Sequence, residues 1–208
     1  MKKSNVICCA LLLTCSSAAV LSACKDDSDK ETQKMFATYE TWQDGFYNIN
    51  MMDGFGRITR SDEQAHGGSY SAKLQPLGSH TDGSSPYFYY PMQMEGTGGY
   101  NYTDFSKLEN VTFWMYNAEK EEVTFDFCIV ASVADVYGTD YKSVKSCTLA
   151  PEQWTQITYT PDYNALQDMC DITNVAGIAF LFENCNSADI ADAPVLYLDD
   201  LSISAADH

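Results

Sequence analysis

Residues 195–204 read Val-Leu-Tyr-Leu-Asp-Asp-Leu-Ser-Ile-Ser, an apolar run interrupted by two adjacent carboxylates. Side chains of a strand alternate between its two faces. The alternation predicts Tyr197, Asp199, Leu201 and Ile203 on a core face and Leu198, Asp200, Ser202 and Ser204 on a solvated one. Asp199 then stands at the core boundary, where an unpaired carboxylate costs several kcal/mol. It needs backbone donors, a cation or a metal, and any of these ties the last strand to another part of the fold.

Working back from that strand, the chain from Met35 onward reads as short strands divided by turns. Residues 36–42 are expected as the first strand, carrying Glu40, and 57–61 as a short strand after the turn at Gly54 and Gly56. Residues 65–70 form a tight loop whose glycines permit positive φ, followed by a strand over 71–77. Residues 87–94 are rich in aromatics, and 96–104 are a glycine and tyrosine loop. Residues 111–117, 123–131 and 175–183 have the β-branched and aromatic content of central strands. A turn at Pro151 leads into a strand over 154–160, and 164–171 hold one short helix or turn. About eight to ten short strands with almost no helical periodicity predict an all-β fold, a single β-sandwich or jelly roll over residues 35–205.

The first 23 residues are expected to lie outside that fold. Lys2 and Lys3 precede an apolar run, residues 6–20, that is too short for a permanent membrane helix. Leu21-Ser22-Ala23-Cys24 then resembles the lipobox of bacterial lipoproteins, which implies a signal peptide over 1–23 and lipidation of Cys24. Residues 24–34 are charged and polar and read as a flexible acidic tether. Their Lys25-Asp26-Asp27 start is similar to the export signal of surface lipoproteins in some Gram-negative gut bacteria. The expected location is therefore the outer membrane, lipid-anchored and facing outward.

The 208 residues carry a formal charge of −17, and loss of residues 1–23 would leave about −19. A field of that sign argues against electrostatic binding of nucleic acid or anionic lipid and favours divalent cations and neutral or cationic ligands. Cys128, Cys147, Cys170 and Cys185 remain in the domain, enough for two disulfides outside the cytoplasm. A hairpin of 125–132 with 142–149 about Tyr137-Gly138 sets Cys128 directly opposite Cys147, and Cys170 then pairs with Cys185 by default.

Several segments together resemble the galactose-binding-domain-like jelly rolls of carbohydrate-binding modules. They are Glu40 in the first strand, Gly67-Gly68-Ser69-Tyr70-Ser71-Ala72-Lys73-Leu74, residues 108–114, residues 152–157, and the closing Leu198-Asp199-Asp200-Leu201-Ser202-Ile203. The resemblance implies a structural calcium ion held by Glu40, by backbone around Gly68 and Tyr70, and by Asp199 or Asp200. Calcium takes six to eight hard oxygens, a demand that such a set answers.

Saccharide recognition calls for rings that stack on a pyranose, with polar groups at their edges. Tyr87, Tyr89, Tyr90, Tyr100 and Tyr102, flanked by Gln93, Asn101 and Asp104, are the first candidates, and Tyr137 and Tyr141 form a second group. Trp114 and Trp154 sit among apolar neighbours and are expected in the core. The chain has no HExxH and no G-x-S-x-G, and only Arg57 and Arg60 are placed to serve a lyase-type site. The expectation is a non-catalytic, calcium-stabilised glycan-binding lipoprotein that presents its ligand to neighbouring glycan-uptake proteins. The alternatives are a jelly-roll polysaccharide hydrolase or lyase, and an adhesion subunit with an aromatic protein-binding face.

Overall fold

A computed structural model describes residues 32–40, 56–78, 87–91, 104–131, 141–185 and 187–205. Ten strands and one short helix appear among them: β1 (Thr32–Ala37), β2 (Gly56–Ser61), β3 (Ser71–Pro76), β4 (Tyr87–Pro91), β5 (Leu108–Asn117), β6 (Val123–Val130), β7 (Tyr141–Leu149), β8 (Gln153–Tyr159), α1 (Tyr163–Met169), β9 (Gly177–Leu181) and β10 (Leu196–Ala205). They form two antiparallel sheets. One has the order β2-β3-β10-β5-β8 with β1 also paired to β10, and the other has the order β4-β9-β6-β7. The expected β-sandwich is the fold observed.

The core lies between the sheets because both turn apolar alternates inward. Leu74, Phe113, Met115, Leu196 and Leu198 come from the six-stranded sheet, and Phe88, Phe125, Phe127, Ile129 and Phe180 from the other. Phe113 meets Phe127 at 5.6 Å and Phe180 edge-on at 5.1 Å, ring packing that joins the two layers. α1 is capped by Asp162, whose side chain accepts from the Asn164 and Ala165 amides, and its Leu166 is buried.

β10 holds the molecule together. It pairs with β5 along one side, while its other side pairs first with β3 and then with β1. The change of neighbour falls at Asp199-Asp200. There β10 also carries an extra residue, since Asp199 faces Trp114 and Ser202 faces Thr112. Asp200 absorbs the bulge at φ 48°, a left-handed conformation that aspartate tolerates better than most residues.

The bulge corrects the alternation read from sequence. Leu196 and Leu198 point into the core before it, and Leu201 points into the core after it. Tyr197 and Asp199 consequently lie on the outer face of the sheet. The first strand also differs from expectation: it begins at Thr32, inside the stretch read as tether, and ends before Glu40.

The disulfide framework is overturned, because all four cysteines are free. β6 and β7 do form a hairpin, but Cys147 stands opposite Phe125 and Cys128 opposite Ser143. The plain alternation of β6 puts Cys128 on the outer face between Phe127 and Ile129, whereas Cys147 is in the core. A shift of register that keeps Phe125, Cys147 and Leu149 inside separates the two sulfurs.

Candidate functional site

Where β10 changes neighbour, the loop between β2 and β3 comes in with Glu40, which follows β1. Asp199 Oδ2 accepts the backbone amides of His66 at 2.8 Å and Gly67 at 3.2 Å, and Oδ1 accepts the amide of Asp200 at 2.8 Å. Glu40 Oε1 accepts the amides of Ser69 at 2.7 Å and Tyr70 at 3.0 Å. The sequence expectation that the two ends of the domain meet at these acids therefore holds. Glu40, Gly68, Tyr70, Asp199 and Asp200 are brought together around the His66–Tyr70 part of that loop.

Local sequence makes this possible. Gly68 has φ +61°, and a Cβ there would collide with the Glu40 carboxylate. A Cβ on Gly67 would approach the Asp200 carboxylate to 2.9 Å. Arg60 donates to the carbonyls of Tyr39 and Glu40 and lies 3.3 Å from the centroid of the Tyr70 ring, bracing the far side.

Asp199 is fully buried. Burial raises its pKa from 3.8 to about 6; the amides of His66, Asp200 and Gly67 oppose that rise, and the neighbouring Asp200 charge adds to it. Among the described residues no group of three or more histidine, cysteine or acidic side chains is arranged around a metal position. The loop turns amides, not carbonyls, toward Glu40 and Asp199. As placed, these two carboxylates are bound by N–H donors and do not form a calcium cage.

An aromatic group adjoins the seam on the outer face of the six-stranded sheet. The imidazole of His66 stacks on Trp114 with centroids 3.8 Å apart and meets Trp154 edge-on at 5.5 Å, while its Nδ1 lies 2.7 Å from Asp200 Oδ2. Tyr116 lies between Trp154, at 5.5 Å, and Tyr197, at 6.1 Å. Glu63 accepts from Tyr197 Oη at 2.5 Å and from Lys73 Nζ at 2.6 Å, and both bonds hold its carboxyl below the usual range. Trp114 and Trp154 are half-buried on this face, which corrects their expected place in the core. The missed signal was the pair of polar neighbours, Thr112 and Gln156, that share the face with them.

The outer face of the four-stranded sheet carries a second apolar cluster: Tyr87, Tyr89, Cys128, Val130, Ala176 and Ala179. Tyr87 is 5% exposed and Tyr89 3%, and Tyr89 Oη donates to the Ala176 carbonyl at 2.9 Å. Neither offers a ring face to solvent, so their expected stacking role gives way to packing. Asp104 is exposed and accepts from the Ser106 amide at 2.8 Å. Tyr100, Asn101, Tyr102 and Tyr137 lie outside the described residues, as do the side chains of Tyr90 and Tyr141. A separate cavity of about 230 Å³ opens between β7, β8 and α1, where Lys145 Nζ is held by the Thr158 carbonyl at 2.6 Å.

Two antiparallel sheets packed over one core, with the first and last strands paired in the larger sheet, form a jelly-roll β-sandwich. Solved structures that share this fold include carbohydrate-binding modules. The CBM22-1 xylan-binding domain of Paenibacillus barcinonensis Xyn10C matches with TM-score 0.53 and 11% identity, over 86% of this chain and 98% of that one. The CBM22-1–GH10 modules of Clostridium thermocellum xylanase 10B, solved with xylohexaose, match with TM-score 0.55 and 12% identity, over 80% of this chain but only 27% of that one. The family 11 carbohydrate-binding module of Lic26A-Cel5E from the same organism gives 0.50 and 15%, over 85% and 96%. No protein-family model matches the chain. No curated protein sequence matches it either.

Proposed function

We propose that this protein is a non-catalytic glycan-binding lipoprotein, anchored through Cys24 to the outer membrane and exposed at the cell surface, where it hands saccharide to neighbouring uptake proteins. The observation that carries the binding role is the layout of the four-stranded sheet. Pro91 of β4 and Val130 of β6 both pair with Gly177, and Tyr141 of β7 pairs with Val130. The connections after β4 and between β6 and β7 therefore leave from one end of that sheet. Those connections contain Tyr100, Asn101, Tyr102 and Tyr137, the ring and amide chemistry that pyranose recognition uses. The similarly folded CBM22-1 module is a xylan-binding domain, which supports the same class of ligand.

Affinity electrophoresis against a panel of soluble polysaccharides tests this reading. Retention by at least one of them, weakened in Tyr102→Ala and Tyr137→Ala, is expected. Retention by none sinks it, and release of oligosaccharide products would overturn its non-catalytic part. Labelled fatty acid should be incorporated by the wild type and not by Cys24→Ala.

A structural calcium remains part of the proposal. Glu40 Oε2 and Asp200 Oδ1 are the carboxylate oxygens at the seam left to begin a cage, and loop carbonyls would have to turn inward to complete it. A melting temperature lowered by chelator and restored by excess calcium supports the ion. An unchanged value leaves the loop amides as the partners of Glu40 and the His66 ring as the partner of Asp200.

A further inference from the structure

The outer face of the six-stranded sheet changes character along its strands. On one side of the Asp200 bulge it carries small polar residues, with Thr112 Oγ1 and Ser202 Oγ 2.5 Å apart. On the other side the same face of the same strands carries Trp114, Tyr116, Trp154 and Tyr197. Register sets Trp154 beside Tyr116 and Tyr116 beside Tyr197, one ring on each of β8, β5 and β10. These rings contribute nothing to the core between the sheets. Trp114, Tyr116 and Trp154 remain half-exposed, whereas Tyr197 is buried beside Tyr116.

The charges around the row are already paired. Lys73 neutralises Glu63, and His66 stands against Asp200. In a chain of net charge −17 this is a locally balanced aromatic island. A cationic ligand would have to displace Lys73 or His66 from its acid, and an anionic one would meet the exposed Glu63 carboxylate. A neutral sugar needs neither. Its C–H faces stack on rings spaced one strand apart, while its hydroxyls reach the exposed Gln156 amide and the Glu63 carboxylate at either end of the row.

We propose that the Trp154–Tyr116 pair, with buried Tyr197 packed beside it, is a second saccharide-binding face, for a neutral glycan chain, on the sheet opposite the tyrosine-bearing connections. The inference rests on the glycan-binding reading above, but it uses different residues on a different sheet. The protein would then hold polysaccharide on two sides, gaining retention on long chains through effective concentration.

Affinity electrophoresis with soluble xylan and mixed-linkage β-glucan, together with tryptophan fluorescence during titration with xylohexaose, tests it. Wild type should be retained, and its emission should change, because Trp114 and Trp154 are two of only three tryptophans. Trp154→Ala should weaken retention at least about fivefold and Trp154→Phe much less, as loss of one stacked ring predicts. Gln156→Ala, at an exposed position that leaves folding intact, should weaken it about threefold, roughly the effect of one hydrogen bond. Retention of wild type that is lost in Tyr102→Ala but unaltered in Trp154→Ala and Gln156→Ala overturns the second face and leaves the first reading standing. Wild type retained by neither polysaccharide overturns the second face, and the first reading falls with it only if the whole panel fails to retain the protein.

Discussion

Asp199 and Gly68 mark the two ways in which single residues build the seam. Asp199 is an acid held in a fully buried position by three amides, and burial still lifts its pKa to about 6. In the folded chain it keeps a proton that the unfolded chain releases near 3.8. Its contribution to stability is therefore greatest at low pH and is lost as pH rises through about 6, by on the order of 1 kcal/mol between pH 5 and 7. Thermal melts in chelator should show that slope in the wild type. It should be reduced in Asp199→Asn. Equal slopes would mean that Asp199 is ionised throughout. Gly68 answers to sterics rather than charge. Alanine there must hold φ +61° and displace the Glu40 carboxylate from the Ser69 and Tyr70 amides, so Gly68→Ala should cost about 2–4 kcal/mol in urea unfolding. Gly67→Ala, which meets only the movable end of Asp200, should cost less. The reverse order would refute this account of the loop. The glycine pair and both acids were legible in the sequence as a seam. That amides rather than carbonyls would face the acids was not, because the two loop conformations share the same residues.

Strands were legible as elements and less so in their phase. β5, β8 and β10 fall close to where β-branched and aromatic content put them, since burial on a sheet selects those residues strongly. The face of β10 depended on a bulge at Asp200. One extra residue inverts every side chain beyond it, and an aspartate in left-handed conformation leaves almost no trace in composition. That is why Tyr197 and Asp199 were read as core. Trp114 was read as interior for another reason, its apolar strand neighbours outweighing the polar Thr112 and Gln156 on its own face. β1 was hidden for a different reason. Its Thr32-Gln33-Lys34 start is polar, and only pairing with Ala205, Ser204 and Ile203 makes it a strand. The connection from β7 to β8 shows the same local strain in a form open to test. Glu152 follows Pro151 in the turn at φ 53°, a conformation that costs an ordinary residue about 1 kcal/mol and glycine almost nothing. Glu152→Gly should accordingly raise the urea midpoint by an amount worth about 0.5–1 kcal/mol. A lowered midpoint would show that the glutamate side chain or the stiffness of the unfolded turn outweighs the strain.

At the scale of the molecule, a sandwich this size is held by its core and by β10, without covalent staples among the described residues. The even cysteine count suggested two disulfides because extracellular domains often use them, but the topology distributes the sulfurs. Cys147 and Cys185 belong to the core, Cys128 belongs to the outer cluster of the four-stranded sheet, and Cys170 ends α1 with its Sγ directed to the Leu166 carbonyl. Burial pushes the thiols up, Cys128 to about 12 and Cys147 and Cys185 to about 11, which leaves little thiolate at neutral pH to be oxidised. Two disulfides would contribute several kcal/mol, and their reduction would lower the melting temperature by many degrees. Melts with and without a reducing agent should instead coincide. An Ellman titration of the native protein at pH 8 should find Cys170, only partly buried, the first of these four to react, with Cys128, Cys147 and Cys185 reacting only on denaturation. A clear fall in melting temperature on reduction would mean that oxidation draws two of these sulfurs together in the cell. The register of β6 on β7 would then have to slip to allow it, carrying Phe125 and Phe127 out of the core in which they pack against Phe180.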